Sequence, residues 1–202
     1  MNKYVEKILE YAKRLVEEGI NDDKACISLK APKGYMYATK LGVALKDIKE
    51  KYHLPLDNYS LWGFSAGGHM CALFGTAEYG YKKYGYPKPN TLVLVYPVIS
   101  LEKEVTHRST RKFFANEKEE YLKIGNIYQH VTKDYPKTFI WRGDRDHSVP
   151  PVNSELLVNE LEKQNIEHQF VKYSKVGHGI GLGKKTQAQD WSNLAIKYWL
   201  NK

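Results

Sequence analysis

A serine held among small residues, Gly63-Phe64-Ser65-Ala66-Gly67, is the stretch of this sequence best suited to chemistry. The pattern is G-x-S-x-G. The apolar run Tyr59-Ser60-Leu61-Trp62 leads into it as a strand, and Gly68-His69-Met70-Cys71-Ala72-Leu73 continues from it as a helix. A serine at a strand-to-helix corner of this kind suits a nucleophile elbow. The corner forces the serine backbone into a strained conformation, and its neighbours must be small for strand and helix to approach. The hydroxyl then stands exposed at the carboxyl edge of a sheet, with the positive end of a helix dipole aimed at it. The competing reading of the same residues is a glycine-rich turn whose serine caps the helix.

The longer run Gly63-Phe64-Ser65-Ala66-Gly67-Gly68-His69 resembles the elbow of the α/β-hydrolase superfamily. Within it, the run is similar to the branch of small bacterial acetylesterases, feruloyl- and xylan-esterase-like enzymes and related carboxylesterases. That resemblance implies two partners for the serine, downstream in the order acid, then histidine. It also implies a small carboxylic ester as substrate, an acetylated sugar being one option, and no cofactor or metal.

Both partners have candidates. Thr138-Phe139-Ile140-Trp141 is an apolar, strand-prone run, and Arg142-Gly143-Asp144-Arg145-Asp146-His147-Ser148-Val149-Pro150 follows it. The family carries its acid three residues before a Val-Pro pair, which implies Asp146. Asp144 is the alternative, and its other role is that of a loop carboxylate capping a backbone N–H. A helix from about Asn153 to Gln164 comes next, then the alternating strand His168-Gln169-Phe170-Val171-Lys172-Tyr173. Val176-Gly177-His178-Gly179 after it resembles the family's histidine loop. The chain has seven histidines. His53 and His130 close polar helical segments, His168 opens a strand, and His107 lies in the variable region after the third strand. His147 adjoins the acid, and His69, one helical turn past Ser65, reads as a packing residue. The resemblance therefore assigns Ser65 as nucleophile, His178 as its base and Asp146 as the group that orients the base, with the backbone N–H of Ala66 as an oxyanion donor.

Composition bounds the rest. Two hundred and two residues suffice for one domain with a sizeable core. A hydrophobic content of 42% and a charged content of 27% are ordinary for a globular protein. The formal net charge is +8, but lysines are spread along the chain and interleaved with glutamates, as in Glu117-Lys118-Glu119-Glu120. That pattern gives a solvated surface rather than a nucleic-acid site. Cys26 and Cys71 show neither metal-ligand spacing nor a disulfide framework. No apolar run approaches a membrane span, and the charged, amphipathic N-terminus lacks the apolar centre of a signal peptide, so the expectation is a cytoplasmic protein.

The elements that must position these residues alternate along the chain. A helix is expected from about Tyr4 to Glu18, a strand at Ala25-Cys26-Ile27-Ser28-Leu29, a helix from about Tyr37 to Tyr52, then the elbow strand and helix. Residues 80–89 form a Tyr/Gly/Pro-rich loop. Thr91-Leu92-Val93-Leu94-Val95-Tyr96 is apolar enough to be a parallel strand covered on both faces. The last helix runs from about Gln187 to Leu200. This alternation predicts an α/β fold with a doubly wound, mostly parallel sheet of about five strands in a single domain over residues 1–202. Residues 98–136 hold either a small helical cap over the site or a crossover helix with a surface loop.

The resemblance also implies N-terminal strands that this sequence does not contain, one of them ending in a His-Gly-Gly loop that completes the oxyanion hole. Only 64 residues precede Ser65. The expectations are an oxyanion hole only partly formed at Ala66, and association of like chains through an exposed sheet edge. Three functions remain open at this point. They are an esterase, an amide hydrolase such as an arylformamidase or prolyl-oligopeptidase-like peptidase, and a non-catalytic binding protein of the same fold.

Overall fold

The computed structural model describes residues 59–201, apart from 107, 116 and 117. The expected helix at 4–18, the strand around Cys26 and the helix at 37–52 lie outside the described residues.

Four parallel strands form the sheet among the described residues. They are β1 (Ser60–Phe64), β2 (Thr91–Val95), β3 (Lys137–Gly143) and β4 (His168–Tyr173), in the spatial order β1-β2-β3-β4. The order follows from connection length. Each strand is followed by enough chain to cross over and lie parallel to its predecessor, as βαβ units require. Helix α1 (Ala66–Phe74) joins β1 to β2. Helices α2 (Arg108–Ala115) and α3 (Glu119–Ile124) and a 3₁₀ turn (Ile127–His130) lie between β2 and β3. Helix α4 (Val152–Lys163) joins β3 to β4, and α5 (Trp191–Leu200) closes the described chain.

Strand alternation sorts the core into two layers. Leu61, Leu92, Leu94 and Ile140 point to one face, where Ala72, Leu73 and Phe74 of α1 and Leu157, Val158 and Leu161 of α4 cover them. Val93, Val95, Phe139 and Trp141 point to the other, under Trp191 and Ala195 of α5. The sheet is therefore wound on both faces. β2, at its centre, is buried at every residue, which explains its uninterrupted apolar run.

The last helix begins at Trp191, later than the expected Gln187. The cause is local. Gly183 and Lys185 take positive φ of 67° and 63°. The Thr186 hydroxyl donates to the Gly183 carbonyl and accepts the Ala188 N–H. These short side-chain bonds offer the backbone an alternative to the helix ladder until Asp190.

Candidate active site

Ser65 sits between the end of β1 and the start of α1 with φ 50° and ψ −115°. Such a backbone costs on the order of 1–3 kcal/mol for a non-glycine residue and persists only where its surroundings over-determine it. Here three hydrogen bonds do so. The Ser65 N–H donates to the Val95 carbonyl at 2.9 Å, and the Ser65 carbonyl accepts the N–H groups of His69 at 3.2 Å and Val98 at 3.3 Å. Two neighbouring glycines are required by close approach. A Cβ at Gly63 would stand 2.4 Å from the Gly67 carbonyl oxygen, and one at Gly68 would stand 2.7 Å from Pro97. The second glycine of the motif differs, since nothing among the described residues lies within 4 Å of a Cβ at Gly67.

The structure brings Ser65, His178 and Asp146 together. His178 Nδ1 lies 2.7 Å from Asp146 Oδ2, and Nε2 lies 2.9 Å from Ser65 Oγ. A carboxylate only accepts, so Nδ1 carries the hydrogen and Nε2 is left to accept the serine hydroxyl. Asp146 is 4% exposed. Its other oxygen accepts the N–H groups of Ser148 at 3.0 Å and Val149 at 2.8 Å, so every approach to this buried carboxylate is through a donor. Asp144 is placed differently. It is exposed, and Oδ1 accepts the Lys175 N–H at 2.6 Å. It ties two loops together and is not hydrogen-bonded to the imidazole.

Each side chain reaches the site from the carboxyl end of a strand. Ser65 follows β1, Asp146 follows β3 and His178 follows β4. Gly179, at φ 73°, lets the histidine loop turn back directly after the imidazole. Ala66 is the first residue of α1, where amide groups have no intrahelical acceptor and point out of the helix end.

Three further groups shape the site that the sequence reading did not single out or did not connect to it. Tyr96, directly after β2 with φ 40°, lays its ring 4.6 Å from that of His178 and meets the Trp141 ring at right angles, 5.1 Å away. His69 is 2% exposed, donates from Nδ1 to the Val98 carbonyl at 3.2 Å and packs its ring, tilted by 42°, 4.4 Å from that of Phe114 of α2. Burial holds its pKa down at about 4, so this imidazole is neutral and structural. Asn153, 1% exposed, accepts the N–H groups of Ile99 and Ser100 and donates to the Pro150 carbonyl. A strand-ending Tyr-Pro pair was the only local signal for the first. The asparagine contacts span about 54 residues and leave none.

A parallel sheet wound on both faces, with a strained serine after one strand and a histidine and a carboxylate from the loops of two others, defines an α/β hydrolase. Sequence comparison narrows this. The chain belongs to the prolyl oligopeptidase family, whose model matches residues 36–202. It is similar to endo-1,4-beta-xylanase B of Butyrivibrio fibrisolvens, 28% identical over 149 residues that cover 70% of this chain and 24% of the relative. It is also similar to the acetylxylan esterase of Xylanibacter ruminicola, 25% identical over 174 residues that cover 78% of this chain and 35% of the relative. Among solved structures, an acetyl ester-xyloside bifunctional hydrolase from Caldicellulosiruptor lactoaceticus is 28% identical with a TM-score of 0.70, over 83% of this chain and 65% of that one. The carboxylesterase Cest-2923 from Lactobacillus plantarum is 25% identical with a TM-score of 0.65, over 80% of this chain and 66% of that one. The chain thus spans about a quarter and a third of the two curated relatives, and just under two thirds of each solved chain. Among the described residues no helix is long and apolar enough to cross a membrane.

Proposed function

We propose that this chain is a serine hydrolase that cleaves small carboxylic esters through an acyl-enzyme on Ser65. The observation that supports the reading most directly is the unbroken hydrogen-bonded path from Asp146 Oδ2 through His178 to Ser65 Oγ, with the serine held at a strained corner.

In this reading His178 takes the Ser65 proton at Nε2 as the oxygen attacks the ester carbonyl. Asp146 holds the imidazole in the tautomer that leaves Nε2 free, and stabilises the imidazolium without taking the proton. The carbonyl oxygen gains charge as the tetrahedral intermediate forms, and the Ala66 N–H at the helix end is placed to donate to it. His178 then protonates the departing alcohol. Water repeats the sequence to release the acid and restore Ser65. Similarity to an acetylxylan esterase and to an acetyl ester-xyloside bifunctional hydrolase favours acetyl esters of xylan-type sugars as the substrate class.

A fluorophosphonate probe tests the chemistry. It is expected to label Ser65, and Ser65→Ala is expected to abolish the adduct in intact-protein mass spectrometry. A folded wild-type chain that stays unlabelled would refute the catalytic reading and favour a ligand-binding role for the same cleft. The family name supports a second reading, an amide or peptide hydrolase on the same three residues. Matched ester and amide substrates decide between the two. The ester reading requires kcat/KM on acetyl esters to exceed that on aryl formamides and prolyl peptides.

A further inference from the structure

Val95-Tyr96-Pro97-Val98, the turn by which the chain leaves β2, touches both the serine and the histidine of the site. The Val95 carbonyl accepts the Ser65 N–H at 2.9 Å, and the Val98 N–H donates to the Ser65 carbonyl at 3.3 Å. Between these two clamps on the serine backbone, the Tyr96 ring lies 4.6 Å from that of His178. We infer that Tyr96 is a positioning residue for the base: its ring holds the His178 imidazole in line between Asp146 and Ser65, from a turn that also fixes the serine. The inference rests on the ester-hydrolase reading above and adds a fourth side chain, one that acts through the histidine.

The hydrogen bonds leave the imidazole one freedom. Nδ1 is tied to Asp146 at 2.7 Å and Nε2 to Ser65 at 2.9 Å. Rotation of the ring about the line through its two nitrogens changes neither distance, so only side-chain torsion and packing oppose it. The histidine loop adds little restraint. His178 stands between Gly177 and Gly179, and its side chain keeps 20% of its surface exposed. A Cβ at Gly179 would meet nothing among the described residues within 4 Å. The Tyr96 ring, tilted by 56° to the imidazole, is the aromatic plane packed beside it.

The backbone of Tyr96 supports the assignment independently. Its φ of 40° lies in the region that suits glycine and strains a bulky side chain. Glycine would make the same turn without that strain. The tyrosine is held there by the bond from its N–H to the Trp141 carbonyl, 2.8 Å, and by the rings around it. Trp141 of β3 stands 5.1 Å away at 89°, and Phe64, the residue before Ser65, 6.0 Å away at 61°. At 4% exposure the ring has no room to swing aside. Burial by itself would account for an apolar ring, but not for an aromatic side chain on a glycine-like backbone with the base as its neighbour.

The consequence is kinetic. His178 serves both acylation and deacylation in the proposed mechanism, so a loosened imidazole slows both steps together. A misplacement of roughly 1 Å can cost on the order of 10² in rate. The loss then falls on kcat, and KM stays where it was.

The test compares the wild-type chain with Tyr96→Phe, Tyr96→Met and Tyr96→Leu. Tyr96→Met keeps apolar bulk but replaces a rigid plane with a flexible chain. Each protein is followed by thermal melt, by steady-state kinetics on 4-nitrophenyl acetate and by the rate of fluorophosphonate labelling. The final extent of labelling counts competent molecules. Per labelled molecule, kcat is expected to fall at least about tenfold in the Met and Leu variants, with KM within about twofold of wild type. The labelling rate should fall with it. Tyr96→Phe keeps the ring and should recover both rates to within about threefold of wild type. Folded Met and Leu variants with wild-type kcat and labelling rate would overturn the assignment. So would a change confined to KM, or a loss in Tyr96→Phe as large as theirs, which would place the effect in the hydroxyl. Unfolding of both the Met and Leu variants would also overturn it, leaving the ring a packing role alone. A folded wild-type chain that is neither labelled nor active refutes the hydrolase reading itself, and the role of Tyr96 with it.

Discussion

Replacing Asp146 with asparagine changes one oxygen to an NH2 group and almost nothing in shape. The structure determines which end of the new amide faces the imidazole. In the native loop Oδ1 accepts two backbone N–H groups, from Ser148 and Val149, at 3.0 and 2.8 Å, while Oδ2 accepts one, from His178, at 2.7 Å. If the amide oxygen faced His178, the NH2 would confront two backbone donors and both of those bonds would be lost. At roughly 0.5–1.5 kcal/mol each, more once the desolvation of stranded donors is counted, that orientation is disfavoured. The oxygen therefore stays on the loop and the NH2 points at Nδ1. Nδ1 must then accept, Nε2 carries the hydrogen, and the imidazole presents a donor to a hydroxyl that needs a base. The expected loss in kcat is about 10⁴-fold, or about 5.5 kcal/mol of barrier. The melting temperature should barely move, because the loop bonds survive. Asp144→Asn is the control. It weakens one exposed bond to the Lys175 N–H and should cost less than about 1 kcal/mol of stability and little activity. Steady-state kinetics on an aryl acetate, with melts of all three proteins, measure both. An Asp146→Asn enzyme within tenfold of wild type, or an equal loss in Asp144→Asn, would refute the tautomer argument.

Ser65→Gly removes the strain of a φ of 50°. It should add about 1 kcal/mol to unfolding stability in urea while ending fluorophosphonate labelling. Gly68→Ala places a methyl 2.7 Å from Pro97 and should cost about 1–3 kcal/mol, read as a lower denaturant midpoint. His69 gives a pH signature. Its folded pKa of about 4 lies below the unfolded value of about 6.5, so the unfolded chain binds the extra proton between those two values. Its contribution is complete above pH 6.5 and is lost as pH falls toward 4, amounting to about 2 kcal/mol between pH 7 and pH 5. His69→Leu should flatten that slope in urea melts across the same range, even if it lowers stability at pH 7.

Much of the described architecture was readable in the sequence because burial and periodicity coincide there. β4 runs over the expected His168–Tyr173, and α4 is displaced by one residue from the expected 153–164. Both are apolar patterns bounded by turn residues, which is the information a local reading uses. The last helix started late because Thr186 makes its own short hydrogen bonds, a competition that apolar spacing does not register. The approach of Ser65, Asp146 and His178 was legible through chain order and glycine placement. Asp146 was favoured over Asp144 by its place three residues before Val149-Pro150, a spacing that carries meaning only through the family resemblance. They are parted by which loop amides each carboxylate meets, and that depends on the backbone path after β3. The buried asparagines lay beyond reach for a related reason. Asn126 and Asn153 serve backbone groups about 25 and 54 residues away, so nothing near them in sequence records the contact.

The strand order has a consequence for how the site comes into being. Ser65 and His178 meet across 113 residues of chain, and Asp146 and His178 across 32. In the proposed mechanism the Ser65 hydroxyl depends on an imidazole three strands along the sheet, and gains its reactivity only after the parallel ladder has closed from β1 to β4. Pairings of this kind carry the largest loop-closure cost and form slowly. Helical signal and tryptophan burial can recover on refolding before the sheet is complete, whereas probe reactivity at Ser65 cannot. On that reading the rate at which refolding chains regain labelling times the last step of assembly, and Ser65 serves as a clock for its own fold.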